Sequence, residues 1–471
     1  MPKNQQAGSF SFSSLGTSNR TVGAALVGAG GSRPGAGGLA RLYNWCGRNQ
    51  PDNIVACVFG GETSLWVLGG SIVGVEPGVE PGAGTTRVPE LYTSPDGVTW
   101  TAVVNQPFTQ GILSGVFYEH GLWFATCQNT NSSTMAVSKD GLRWTPLGNN
   151  DPFATPGGGV IKPISSAFFV TYAQGQWVAC GKKGLLGSYS TLATSRDGYS
   201  WTLVPNTQST LYFTQIAYGN GVWVAVGGNG FASSTDLLNW STLTPTPGPS
   251  GPSPIGGGNS VTPTPGPSRP SPSPTPIGGG NSVTFNGIHW VVLYASTLYY
   301  TLSPDAGWNE VPLGSGKTVF SNVLFFNGIW FLYGVSGLFT STDANLDTWD
   351  STRLNTTVYG IAYAQGVFVV CGTGADSLVY STDGTNWTSV SFDSTPLIRM
   401  VSVGFQGGKW IAVGTPNIYS SQSQVVASSR DGIAWSISSF PVPTAQLNVV
   451  QNSGHGAVTY GMVRGGGGGG P

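Results

Sequence analysis

SKDGLRW, from Ser138 to Trp144, and SRDGYSW, from Ser195 to Trp201, are two spellings of one phrase, Ser-x-Asp-Gly-x-x-Trp, that the chain writes eight times. Close copies are SPDGVTW at Ser94, STDGTNW at Ser381 and SRDGIAW at Ser429; looser ones are STDLLNW at Ser234, SPDAGW at Ser303 and STDANLDTW at Ser341. Their aspartates are Asp96, Asp140, Asp197, Asp236, Asp305, Asp343, Asp383 and Asp431, and the shortest spacings between them are 38, 39 and 40 residues. Self-similarity at a period of about 40 is the length of one four-stranded propeller blade. Ahead of each copy a glycine turn opens an aromatic and β-branched run, as in GLWFATC from Gly121, GVWVAVG from Gly221 and GKWIAVG from Gly408. Another short apolar run precedes that turn, for example TQIAYG ending at Gly219. Short Val, Ile, Phe and Trp runs between turn residues are the hairpin signature, and no stretch carries a helical period. The order is strand A, tight turn, strand B, loop, strand C, Asp turn, strand D, and the fold class is all-β.

Tryptophan tests the repeat. Of sixteen Trp residues, eight close the Asp phrase and seven (Trp66, Trp123, Trp177, Trp223, Trp290, Trp330, Trp410) sit on strand B, with Phe368 completing that set. The remaining one, Trp45, reads as the start of a strand D whose Asp turn has decayed, and QLNVVQNSGHGAVTYGMV from Gln446 reads as an A–B pair with no Asp phrase after it. Strands from the two termini can complete each other and remove exposed edges. The expectation is a single β-propeller of about eight four-stranded blades, or nine if the terminal strands form one of their own.

With these phrases in view, the chain resembles the Asp-box, or BNR-type, repeats of β-propellers over about residues 40–465, although its phrase is one residue shorter than the family's Ser-x-Asp-x-Gly-x-x-Trp. Wording such as NGVWVAVGGNG followed by STD and Trp is similar to repetitive propeller proteins of bacteriophages and large DNA viruses. The resemblance implies a propeller scaffold and a virion or attachment role. In the turn, an Asp carboxylate accepts backbone N–H bonds from the residues after it, Gly permits positive φ and Trp packs between blades. Eight of fourteen Asp residues hold this place, so these aspartates read as structural; a catalytic residue needs no eight equivalents.

Charge narrows the function classes. The 471 residues carry 19 Lys plus Arg and 20 Asp plus Glu, a net of −1, and only 8 % are charged against roughly 25 % in ordinary domains. A near-neutral chain lacks the basic stripes of a nucleic-acid binder or a membrane-surface protein. The start is polar and does not read as a classical signal peptide, and no apolar run reaches a transmembrane length. Cys46, Cys57, Cys127, Cys180 and Cys371 have no paired spacing for zinc or redox work and read as packing thiols. His120, His289 and His455 fall in different repeats without metal-ligand spacing. A sialidase calls for an Arg-Ile-Pro phrase and a Glu–Tyr nucleophile pair. The first is absent, and none of the six Glu residues has an evident acid partner. The reading is therefore no enzyme, no catalytic residue, no metal and no cofactor.

Length variation points to one face. A–B turns and Asp turns are short, whereas the B–C and D–A connections vary: Gly70 to Glu90 with VEPGVEPG, KKGLLGSYSTL from Lys182, TPNIYSSQSQVV from Thr415, and the link Gly148 to Ile164. Loops on a rigid scaffold carry recognition, so Glu80, Lys182, Lys183, Tyr189 and Tyr419 are the candidate binding residues. Residues 244–284 repeat TPTPGPS and PIGGGNSVT as a Pro/Ser/Thr/Gly-rich insertion of a composition that builds no core. The division is a 1–39 N-terminal extension, a 40–465 propeller interrupted by 244–284, and a flexible Gly-rich tail at 466–471. The expected role is a non-enzymatic structural or interaction protein of a virion or extracellular surface, cytoplasmic during synthesis, docking other structural proteins of an assembly or a cell-surface receptor. The alternative is a glycan-binding or sialidase-like propeller. Neither nucleic acid nor membrane insertion enters either reading.

Overall fold

Two-residue turns set the strand ends. Glu119 pairs with Leu122, Ala173 with Gln176, Gly219 with Val222, Phe326 with Ile329 and Ala364 with Val367. The residues between them are left-handed, as at His120 (φ 48°) with Gly121 (φ 80°). Positive φ at both central positions gives the hairpin turn whose twist matches the strands it joins. The computed structural model describes residues 54–60, 65–74, 86–130, 133–154, 165–183, 190–205, 213–228, 230–243, 282–311, most of 313–392, 399–415, 425–439 and 457–460.

Among the described residues the strands form eight antiparallel four-stranded meanders, each taken in chain order. Blade 1 is β1–β4 (Ile54–Gly60, Leu65–Gly74, Thr86–Ser94, Thr101–Ala102), and blade 2 is β5–β8 (Ile112–Glu119, Leu122–Thr130, Met135–Ser138, Thr145–Pro146). Blade 3 is β9–β12 (Ser165–Ala173, Gln176–Lys183, Ser190–Ser195, Thr202–Leu203), and blade 4 is β13–β16 (Phe213–Gly219, Val222–Gly227, Gly230–Ser234, Ser241–Leu243). Blade 5 is β17–β20 (Ser282–Phe285, Trp290–Tyr294, Thr297–Thr301, Asn309–Val311), and blade 6 is β21–β24 (Phe320–Phe326, Ile329–Gly334, Gly337–Ser341, Asp350–Ser351). Blade 7 is β25–β28 (Val358–Ala364, Val367–Gly372, Leu378–Ser381, Thr388–Ser389), and blade 8 is β29–β32 (Arg399–Gln406, Lys409–Thr415, Val425–Ser429, Ser436–Ser439). A last strand, β33 (Ala457–Tyr460), runs parallel to β1.

First strands neighbour one another around a ring: β1 lies against β5, β5 against β9, β9 against β13, β13 against β17, β17 against β21, and β25 against β29. The ring closes, because Trp66, Leu68, Tyr92 and Trp100 of blade 1 share one apolar cluster with Val401, Ile411, Val413 and Val426 of blade 8. This is a β-propeller. β33 adds a fifth strand to blade 1 at the edge of β1 and also lies against β5 and β29, so the C-terminal segment joins the first blade. Trp45 and the extension 1–39 lie outside the described residues, as do the tail 466–471 and residues 244–281 of the insertion. The end of the insertion belongs to the scaffold: Ser282, Val283 and Thr284 open β17. Thr284 Oγ1 donates to the Val323 carbonyl of blade 6 at 2.7 Å, and all four residues of β17 are buried, as befits an inner strand.

The seams between blades follow one rule. A Cβ placed on the turn glycine of one blade meets an apolar tip from the second strand of the blade before it: Leu65 at Gly141, Leu122 at Gly198, Ile329 at Gly384 and Val367 at Gly432. The glycine leaves room for a neighbour's side chain and also takes the left-handed φ, 74° at Gly141. Two turns spell leucine there instead, Leu237 (φ 65°) and Leu346 (φ 61°), both buried. These are two of the three seams at which the preceding blade offers a polar residue, here Gln176 and His289; at the third, opened by Lys409, the turn keeps Gly97 and Ile411 fills the space. The apolar plug comes from either side of the seam, and the left-handed leucine costs about 1–2 kcal/mol, less than an unfilled seam.

Leu237→Gly is expected to destabilise the protein by about 2–3 kcal/mol, a buried-leucine deletion partly offset by relief of the left-handed φ. Adding Gln176→Leu to it should return most of the loss. Thermal denaturation of the wild type, both single variants and the double variant reads this directly; additive losses in the double variant contradict the rule.

Candidate functional site

The Asp turn is built alike in six repeats. Asp197 Oδ1 accepts the N–H of Tyr199 at 2.8 Å, the N–H of Ser200 at 2.7 Å and the Ser195 hydroxyl at 2.9 Å, while Ser195 Oγ accepts the Gly198 N–H at 2.8 Å. The same bonds recur at Asp96, Asp140, Asp236, Asp383 and Asp431. In five turns the closing indole N–H returns to the carbonyl of the glycine-position residue, as from Trp144 to Gly141 at 2.8 Å. The other two aspartates deviate where the phrase does. Two extra residues leave Asp343 bonded to Thr348. One residue fewer winds Pro304–Ala306 into a 3-10 turn, with Asp305 reaching the Ser233 hydroxyl of blade 4 at 3.5 Å.

These bonds hold the carboxyls low. The backbone N–H groups of Ser200 and Tyr199 bring Asp197 down to about 2. Asp236 also falls to about 2, first through the backbone N–H of Asn239. The Asn386 side-chain amide, then backbone N–H groups, put Asp383 below the usual carboxylate range. At Asp96, slight burial opposes the shift and the N–H groups of Thr99 and Val98 overcome it, again giving about 2.

The opposite face carries the candidate loops, and the structure makes part of it regular. What reads as a loop from Gly70 to Glu90 is largely ladder: β2 and β3 continue pairing from Gly70↔Glu90 through Ile72↔Val88 to Gly74↔Thr86. Among the described residues β2 and β3, at ten and nine residues, are therefore the longest second and third strands of any blade, because Ser-Ile-Val-Gly and Thr-Arg-Val-Pro offer matching strand residues on either side of the VEPG repeat. Lys182 and Lys183 end β10, Lys182 opposite Ser166 and Lys183 opposite Ser190. Ser166 also pairs with Gln128, and Ser165 with Thr130, so blades 2 and 3 join into one eight-stranded sheet beside Lys182. Glu80, Tyr189 and Tyr419 lie outside the described residues.

Two buried acids stand outside the repeat. Asp151 accepts from the Thr134 backbone and hydroxyl, the Met135 N–H at 2.9 Å, the Phe153 N–H at 3.0 Å and the Ala154 N–H at 3.1 Å, tying the D–A link to the base of a B–C loop. Burial still raises its pKa. Glu119 Oε2 accepts the Tyr172 N–H at 2.9 Å and the Thr171 hydroxyl at 3.2 Å, joining blade 2 to blade 3. Beside it His120 stacks on Tyr172 with centroids 4.0 Å apart, and Gln174 Nε2 donates to the Tyr218 hydroxyl of blade 4. Cys127, Cys180 and Cys371 are buried free thiols, raised by burial. Among the described residues no group of three or more His, Cys, Asp or Glu side chains is placed to hold a metal ion, and no helix is long and apolar enough to cross a membrane.

One concave site is formed at the seam where the ring closes. A cavity of about 380 Å³ is lined by Lys409, Ser428, Ser429, Arg430, Asp431, Ala434 and Ser436 of blade 8. Lys409 Nζ donates across the seam to the Asp96 carbonyl of blade 1 at 2.8 Å.

No family model matches the chain, and no curated protein matches it. Solved structures similar to it include Saccharomyces cerevisiae Sqt1 (TM-score 0.44, 8 % identity, 84 % of this chain and 98 % of that one). YCF48 bound to D1 peptide gives 0.40 and 14 %, covering 64 % and 89 %. The GH74 xyloglucanase from Xanthomonas campestris gives 0.37 and 11 %, covering 82 % and 72 %. These neighbours are propellers of varied function. The fold assignment stands on the strand order and ring closure of the chain itself.

Because the turn carboxyls titrate below their ordinary value of 3.8, their contribution to stability is complete above about pH 4 and is lost as pH falls toward about 2. Thermal midpoints measured across this range should drop steeply in the wild type. Asp197→Asn, which keeps an acceptor oxygen but no charge, should melt lower at neutral pH and show a shallower acid limb. An acid limb as steep as the wild type's excludes Asp197 as a contributor.

Proposed function

We propose that the chain is a non-enzymatic interaction scaffold, an Asp-box (BNR-type) propeller like those of phages and large DNA viruses. In this reading it is a virion or extracellular-surface component that docks structural proteins of an assembly, or a host receptor, through the face of its B–C and D–A connections. The observation that carries this is the one-sided placement of irregularity. One face repeats the same aspartate turn, whereas the blade 1 hairpin, the sheet bridging blades 2 and 3 and the Asp151 anchor all lie at the other. A rigid base under variable loops is the arrangement of a recognition surface. Carboxylates filled by turn N–H groups leave little for acid–base chemistry, which supports the non-enzymatic reading.

A glycan-binding propeller is the second reading. The half-exposed Tyr172 and Tyr218, with His120 and Gln174 exposed beside them, offer stacking faces and polar edges that suit sugars.

Cross-linking mass spectrometry in the native particle or extract should place partner contacts on residues 70–90, 182–193, 244–284 and 415–426. Cross-links confined to the aspartate turns overturn the docking face. Turnover in a screen of sialosides and β-glucans overturns the non-enzymatic assignment, and binding without turnover on a glycan array selects the second reading.

A further inference from the structure

The closing seam departs from the rule of the others. The second strand of blade 8 begins with Lys409 where most blades place Leu, Val or Ile, and the adjoining turn carries Arg430 after its serine. The plug at Gly97 comes instead from Ile411, two residues on. Lys409 is thus released from packing and is held by the Asp96 carbonyl at 2.8 Å, which leaves two of its three N–H donors for other acceptors. Strand register sets hydroxyls beside it: Trp410 pairs with Ser429, Ile411 with Ser428, and Ser428 with Ser436. The turn 430–434 forms the rim.

The charge in the cavity is lopsided. Arg430 is exposed and makes no ion pair or hydrogen bond among the described residues. The one carboxylate, Asp431, has Oδ1 filled by the N–H groups of Ile433 and Ala434, each at 2.9 Å, and by the Ser429 hydroxyl at 2.9 Å. Lys409, Arg430 and three serines line about 380 Å³ with Asp431 as the one acid, a lining charge of +1, in a volume within the ~300–1,000 Å³ of small-molecule sites. Planar guanidinium donors match the oxygens of a carboxylate or sulfate.

We propose that this seam cavity binds an oxyanion group, a sulfate or a sugar carboxylate, with Arg430 and Lys409 as its cationic donors and Ser428 and Ser436 as hydroxyl partners. The site is separate from the variable-loop face and does not depend on the docking reading.

The test is calorimetric titration of the full chain with sodium sulfate and with sodium D-glucuronate, against D-glucose and sodium chloride at matched ionic strength. Saturable binding of either anion, with none of glucose, is expected. Arg430→Gln should weaken it at least tenfold at an unchanged thermal midpoint, while Arg430→Lys keeps part of the affinity. Tighter sulfate identifies a tetrahedral oxyanion and tighter glucuronate an acidic sugar; both uphold the site. No saturable anion binding, or Arg430→Gln binding as the wild type does, overturns it and leaves Lys409 as a closing latch alone. Lys409→Met is measured for thermal midpoint as well as affinity, so that loss of the latch is not mistaken for loss of the ligand.

Discussion

Everything in this propeller depends on filling the wedge between adjacent blades. A four-stranded meander buries little apolar surface alone, and blades become stable only by covering each other's faces. Fully buried tryptophans such as Trp123, Trp177, Trp223, Trp290 and Trp410 supply the bulk, but in four wedges the top closes at one small place, where a turn glycine meets a leucine, isoleucine or valine that opens the second strand of the blade before. The Asp turn holds that glycine in position. Its carboxylate organises the N–H groups of the next residues, its serine accepts the glycine N–H, and its indole returns to the carbonyl of the glycine-position residue in five copies, three of them glycine and two leucine. The polar turn and the apolar seam form one device, in which hydrogen bonds fix the backbone and the backbone admits the neighbour's methyl groups.

This device also accounts for the low charge. A surface stabilised by turn carboxylates bonded to their own backbone needs few ion pairs, and side-chain-to-backbone bonds of this kind are local and fold with the turn. The cations are then left to do other things. Lys139 lies over the Tyr199 ring, Arg399 over the Tyr359 ring, and Lys409 bridges the seam that closes the ring.

What the sequence made legible was whatever is encoded within a few residues. The six regular Asp turns and the tight A–B turns come from contacts between residues two to four apart, and the all-β class and the blade order follow from their repetition. Asp151 with Met135, Glu119 with Tyr172 and Lys409 with Asp96 stand 16, 53 and 313 residues apart, and no local phrase announces them. The hairpin of blade 1 was hidden by its neighbour: Val-Glu-Pro-Gly repeats signal a loop, and they masked that Ile72 and Val88 pair beside them. The Ser-Val-Thr that ends the insertion reads as part of a duplication, yet the Phe285 that follows it turns that copy into an inner strand, where the first copy continues with Pro263.

The left-handed leucines have a consequence for how such a chain can grow. Leu237 matches Gln176 and Leu346 matches His289 across seams, so the unit that is internally matched is not a blade. It runs from the second strand of one blade to the aspartate turn of the next. A duplicated whole blade brings a donor chosen for one neighbour to a turn chosen for another, and it can arrive with two plugs or none. Moving the cut does not help, because a donor and its acceptor lie more than one repeat apart: Gln176 precedes Leu237 by 61 residues, where the shortest repeats span 38 to 40.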